Sequence, residues 1–110
     1  MPYNRSVFSF IETRLFSRLV RDYLADEDYH RLQLELLRNP EAGSVIRGSG
    51  GVRKIRWAAT GRGKSGGYRV IYFVRRPKAV IWMLTIYPKS VVDSIPGHVL
   101  KQIREEVCDD

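Results

Sequence analysis

The chain has 110 residues, 44% of them hydrophobic, and carries 19 Lys and Arg against 12 Asp and Glu for a net charge of +7. That length suits one packed core, hence one domain over residues 1–110, and the apolar content excludes a disordered basic tail. The longest unbroken apolar run has six residues, at 79–84, where a membrane span needs ~20. The N-terminus lacks the apolar segment of a signal peptide, and the single Cys108 excludes an internal disulfide and a cysteine-rich zinc site, so a cytoplasmic address away from membranes is expected.

In chain order, "VFSFI" at 7–11 is short, apolar and aromatic, and predicts a first strand. Residues 13–24 switch to a helical pattern. Leu15, Leu19 and Tyr23 recur at fours, Phe16 and Val20 lie beside them, and Arg14, Arg18, Arg21 and Asp22 fall largely opposite. Asp26 is the expected N-cap of a second helix, with Glu27 and Asp28 favourable in its first turn. Tyr29, Leu32, Leu36 and Leu37 make its stripe, and Asn39-Pro40 ends it. So short a connection predicts an N-terminal helical hairpin.

A flexible loop is expected over "GSVIRGSGG" (43–51), then three strands at 52–58, 67–74 and 79–87. The Gly-rich "ATGRGKSG" joins the first two and the tight "RRPK" the last two, connections too short for parallel crossovers. Ser94 is the expected cap of a last helix with Pro96 in its first turn and Val99, Leu100, Ile103 and Val107 as packing face. The order β-α-α-β-β-β-α describes an α+β domain with a mainly antiparallel sheet and a C-terminal helix.

The charge is unevenly spread. Residues 42–92 contain eleven basic side chains and no acidic one, while the rest of the chain holds eight basic and twelve acidic. Clustered positive charge repels itself and points to a polyanion, nucleic acid first. In "VRKIRWA", Lys54 and Arg56 share one face and Ile55 and Trp57 the other, a sheet with a working side and a core side. Arg69 shares its face with Ile71 and Phe73, as a strand-end charge or a phosphate ligand. "GRGKSG" (61–66) satisfies G-x-G-x-x-G but precedes a strand rather than a helix, and Ala58 stands where a P-loop needs glycine, so what remains is a loop bringing Arg62 and Lys64 to phosphates. His30 and His98 are not brought together by any pattern, and His98 is the better placed of the two.

At these residues the chain resembles the RelE/ParE superfamily of bacterial toxins, most closely its HigB-type branch. The resemblance rests on "GVRKIR", "GRGKSGG", "YRVIY" and "LTIYPK" in succession and covers nearly the whole length. It implies a RelE-like fold and a toxin of a type II toxin–antitoxin system, a hydrolase that inhibits translation and arrests growth. Such an mRNA interferase enters the ribosomal A site, against rRNA, and cleaves mRNA by attack of the 2′-OH on the phosphodiester. It implies no metal and no cofactor, and a cognate antitoxin of the helix-turn-helix, HigA-like kind.

By position the resemblance assigns catalysis to Lys54, Arg56, Arg69 and Lys89. Arg53, Arg62, Lys64, Tyr68 and Tyr87 are candidates for holding RNA by charge or stacking, and Tyr72 is expected in the core. Lys54 is also a candidate base. Pro88 before Lys89 and Ser90-Val91-Val92 after it depart from the family pattern. A ParE-like inhibitor of DNA gyrase and a noncatalytic RNA-binding module are the alternative readings.

Overall fold

The computed structural model describes residues 8–59, 67–91 and 94–107. Among these lie β1 (Ser9–Glu12), α1 (Arg14–Tyr23), α2 (Asp26–Arg38), β2 (Ser44–Val45), β3 (Arg53–Trp57), β4 (Tyr68–Arg75), β5 (Val80–Pro88) and α3 (Gly97–Val107). The strands form one sheet in the order β1-β5-β4-β3-β2. Three pairings are antiparallel, and β1 alone runs parallel to its neighbour β5. The sheet is therefore mainly antiparallel, as expected, with one strand more than the sequence pattern indicated.

That extra strand, β2, falls in the stretch expected to be a flexible loop. The segment is closed instead by a bond from the Ile46 amide to the Val52 carbonyl (2.8 Å) and by the Ser49 hydroxyl, which donates to Ile46 O (2.6 Å) and accepts from Val52 N (3.0 Å). Gly48, Gly50 and Gly51 turn the chain at φ 76°, 76° and 103°, where a side chain would be strained.

Period-two alternation gives the sheet two covered faces. Val70, Tyr72, Ile81, Met83 and Ile86 pack against Phe16, Val20 and Leu24 and against Leu32 and Leu36 of α2. Val52, Ile71, Leu84 and Tyr87 pack on the other side with Leu100 of α3. Burial of these side chains, each worth about 1.5–3 kcal/mol, holds the two helical layers to the sheet. The stripe of α1 centres on Phe16 and Val20, leaving Leu15 exposed, and Leu37 of α2 is likewise exposed.

Two helix starts differ from expectation. Ala25, not Asp26, caps α2, so that Asp26, Glu27 and Asp28 all lie inside the first turn, where the helix dipole favours them. Ser94 does not cap α3. The helix begins at Gly97, and the Pro96 carbonyl accepts from Val99 N (3.1 Å) and Leu100 N (3.2 Å). Proline disfavours helical geometry in the residue before it, so Ile95 cannot be the first helical residue after a Ser94 cap.

One irregularity matters for the site. Between β4 and β5 the register shifts, with Ile71 opposite Thr85 but Tyr72 opposite Met83. The bulge frees the Leu84 carbonyl, which accepts from Thr13 Oγ1 (2.8 Å), while the same oxygen caps α1 by accepting from Phe16 N (3.0 Å). Before the bulge, Ile81 and Met83 belong to the α1–α2 side; after it, Tyr87 belongs to the α3 side. The extra residue switches the alternation of β5.

Candidate active-site cleft

α3 covers the Ile71 end of its face and leaves the other end open. There a cleft of about 390 Å³ is lined by Ala42, Ser44, Lys54, Ile55, Arg56, Arg69 and Lys89. Among the described residues, four of the seven that line it are cationic and none is acidic. Arg56 and Arg69 are direct cross-strand partners in β3 and β4, and Arg69 in turn faces Tyr87 in β5. Side chains so paired stand about 4.5–5.5 Å apart at Cβ, and like charges directly opposite one another destabilise a sheet.

Arg69 is 6% exposed, whereas Lys89, past the end of β5, is exposed. The Lys89 amide donates to the Gly67 carbonyl at the start of β4 (3.4 Å), which ties the segment carrying Lys89 to the strand carrying Arg69. Burial raises the pKa of Tyr87 above the ordinary 10.0, with the Arg69 guanidinium pulling the other way. At neutral pH Tyr87 is thus a neutral phenol, a hydrogen-bond donor beside Arg69 rather than a base.

Lys54, Arg56, Arg69 and Lys89 therefore meet around one cleft, with Tyr87 next to Arg69 on the same face. Two of the expected RNA ligands, Arg53 and Tyr68, do not join them at the cleft. Arg53 lies on the opposite face, across from Tyr72. Its guanidinium donates to the carbonyls of Gly43 (2.7 Å) and Glu41 (3.4 Å), so it holds the segment that forms one wall of the cleft. Tyr68 also faces the α1–α2 side, its ring centroid 5.0 Å from that of Tyr23. One-residue alternation from Arg69 puts it there.

Tyr72 is fully buried; its hydroxyl donates to the Pro40 carbonyl and accepts from the Gly43 amide, each at 2.8 Å. Arg62 and Lys64 lie outside the described residues, as does Cys108. His30 and His98 are exposed on α2 and α3, in the two layers on opposite sides of the sheet. Ala42 and Ser44 were not singled out by sequence. Ser44 reaches the rim only because β2 pairs it with Lys54.

No protein-family model matches the chain. Among solved structures it is similar to a double arginine-to-alanine mutant of the E. coli toxin RelE in the free state, at 22% identity over 81% of this chain and 90% of that one, with a TM-score of 0.58. It is also similar to the intact E. coli RelBE toxin–antitoxin complex, at 23% identity over 74% of this chain and 95% of that one, TM-score 0.58. The isolated E. coli RelE toxin aligns at 20% identity over 92% and 98%, TM-score 0.57. The fold is RelE-like.

Proposed function

We propose that this chain is the toxin of a toxin–antitoxin pair, a ribosome-dependent endonuclease that cuts mRNA in the A site and is held inactive by a cognate antitoxin. The observation that carries the reading is the cleft itself, in which Lys54, Arg56, Arg69 and Lys89 converge with no carboxylate among the described lining residues. The RelE-like fold and a toxin–antitoxin complex among the structural neighbours support it. The HigB-type subclass and a helix-turn-helix, HigA-like antitoxin rest on the sequence resemblance.

In the proposed reaction the ribose O2′ attacks the adjacent phosphorus, the P–O2′ bond forms and the P–O5′ bond breaks. The products are a 2′,3′-cyclic phosphate and a free 5′-OH. The proton leaves O2′ to a base, for which Lys54 is the candidate, and the departing O5′ takes up a proton. The phosphorane-like transition state carries more negative charge than the ground state, and Arg56 and Arg69 sit side by side to take it up. Arg69, a planar fork on a central strand, offers two parallel hydrogen bonds to the non-bridging oxygens. Tyr87, kept protonated by burial, donates rather than accepts beside it. Fixed cations supply here the charge that metal ions supply in other nucleases, so the reaction is proposed to run without metal.

Inducible expression with mapping of mRNA 5′ ends tests the reading. Codon-phased cuts in translated messages are expected, and Arg69→Ala should lower cutting at least ~10²-fold. Because Arg69 is buried, Arg69→Lys serves as the milder variant, retaining the charge but losing the fork. DNA damage with intact mRNA would replace the reading with gyrase inhibition. RNA binding without any cleavage would reduce the protein to a binding module.

A further inference from the structure

Ser44 stands apart from the other residues of the cleft. Among the described lining residues, Lys54, Arg56, Arg69 and Lys89 are donors without an acceptor, and Ser44 carries the only side-chain oxygen. It lies directly opposite Lys54 between β2 and β3, hence on the same face, with Cβ atoms about 4.5–5.5 Å apart. The other cross-strand neighbour of Lys54 is Ile71, apolar and fully buried, so within that row only Ser44 offers an acceptor. The next row, about 7 Å along β3, holds Arg56, Arg69 and Tyr87. The hydroxyls of Ser17 and Ser49 are engaged within the fold, whereas that of Ser44 bonds to none of the described residues.

β2 is only two residues long, yet Ser44 is fixed in place by the residue before it. The Gly43 amide donates to Tyr72 Oη (2.8 Å) and the Gly43 carbonyl accepts from Arg53 Nη1 (2.7 Å). Gly43 lies so flat against β3 that a Cβ there would sit 2.8 Å from the Lys54 carbonyl oxygen and 3.0 Å from the Tyr72 ring. The backbone leading into Ser44 is thus locked to the strand that carries Lys54, while Ser44 itself stays exposed at the cleft. Lys54 is the opposite case. Its amine is a point charge on a flexible four-carbon stem, with no hydrogen-bond or ion-pair partner among the described residues.

We infer that Ser44 is a positioning residue for Lys54: with message in the cleft, Ser44 Oγ accepts a hydrogen bond from Lys54 Nζ and aims the amine at the attacking O2′. The inference rests on the endonuclease reading above, with Lys54 as its base. A basic amine has two N–H donors and one lone pair, so engaging one donor at a fixed acceptor restricts where the lone pair points. Lys54 takes the O2′ proton as the P–O2′ bond forms, and Ser44 neither gains nor loses one. The two side chains are not bonded to each other in the free protein. Catalytic hydrogen bonds are often long before substrate arrives and tighten in the loaded site.

The test measures cleavage of ribosome-bound message, in steady state and in single turnover with excess toxin, alongside thermal melting. It compares the wild-type chain with Ser44→Ala, Ser44→Thr, Lys54→Met and the Ser44→Ala/Lys54→Met double variant. Ser44→Ala should lower kcat at least ~10-fold, because a misaimed base raises the barrier. KM and melting temperature should be little changed, since no contact that binds message or holds the fold is removed. Ser44→Thr keeps the hydroxyl on a side chain suited to a strand and should recover most of the rate. With Lys54→Met in place, Ser44→Ala should cost nothing further, because no base is left to aim. If Lys54→Met is too slow to measure, the kcat–KM split and the threonine rescue decide alone. A Ser44→Ala variant as fast as wild type would overturn the inference and leave the nuclease reading standing. So would a change in KM alone, or a lowered melting temperature that accounts for the lost rate. Losses that multiply in the double variant would assign Ser44 a direct contact with message and refute the positioning role. A Lys54→Met variant as fast as wild type would remove the base and the inference with it. A wild-type chain that leaves ribosome-bound message intact would overturn inference and reading together.

Discussion

Thr13 joins three parts of the molecule through one hydroxyl, which makes Thr13→Val a sharp test of how the site is held. The valine is close in shape, so the change removes hydrogen bonds and little packing. Two are lost, the α1 cap to Phe16 N (3.0 Å) and the donation to the bulge carbonyl of Leu84 (2.8 Å). Loss of the cap costs about 1 kcal/mol. Leaving a part-buried carbonyl without its donor adds ~1–2 kcal/mol, for a total of about 2–3 kcal/mol. In urea, with a slope of about 1.5 kcal/mol per molar for a domain of this size, the midpoint should fall by roughly 1.3–2 M at constant slope. The melting temperature should fall by about 10 °C.

Because the bulge keeps Tyr87 on the face of Arg69, the proposed message cleavage, assayed at a temperature where the variant is folded, should also slow. Thr13→Ser keeps the hydroxyl and should recover most of the stability. A Val variant within ~0.5 kcal/mol of wild type, inside the range of a neutral surface change, would refute the reasoning. So would a Ser variant no better than Val.

Tyr72→Phe leaves the buried Gly43 amide without its acceptor and the Pro40 carbonyl without its donor. It should cost about 2 kcal/mol in equilibrium unfolding and loosen the wall formed by Ala42 and Ser44. The tyrosines also set the alkaline limit of stability. Burial raises the pKa of Tyr29, Tyr72 and Tyr87 above the ordinary 10.0. The folded state therefore holds protons that the unfolded chain has released. Their contribution is fully present below pH 10 and is lost as pH rises from 10 through the raised folded values, which denaturation midpoints taken from pH 8 to 11 will record. Tyr72→Phe should flatten part of that fall.

Much of this protein was legible in its sequence. Local periodicity alone separates Lys54 and Arg56 from Ile55 and Trp57, because neighbouring residues of a strand point to opposite faces whatever the strand pairs with. The acid-free run at 42–92 contains all four cations that line the cleft, and the helical stripes announce what covers the core. Registers are different in kind. They depend on hydrogen bonds between segments distant in sequence, and a slip of one residue reverses every side chain.

Only the tertiary structure set Arg56 opposite Arg69 and brought Ser44 to the rim through a two-residue strand, whereas the far-face positions of Arg53 and Tyr68 follow from the local alternation of their strands. Tyr87 is the clearest case. Strict alternation from Ile81 and Met83 would bury it under α1, and the bulge at Leu84, held by a hydroxyl seventy-one residues away in sequence, puts it beside Arg69 instead. No local propensity records that contact, because the Thr13–Leu84 bond forms only when β1 and β5 are already side by side.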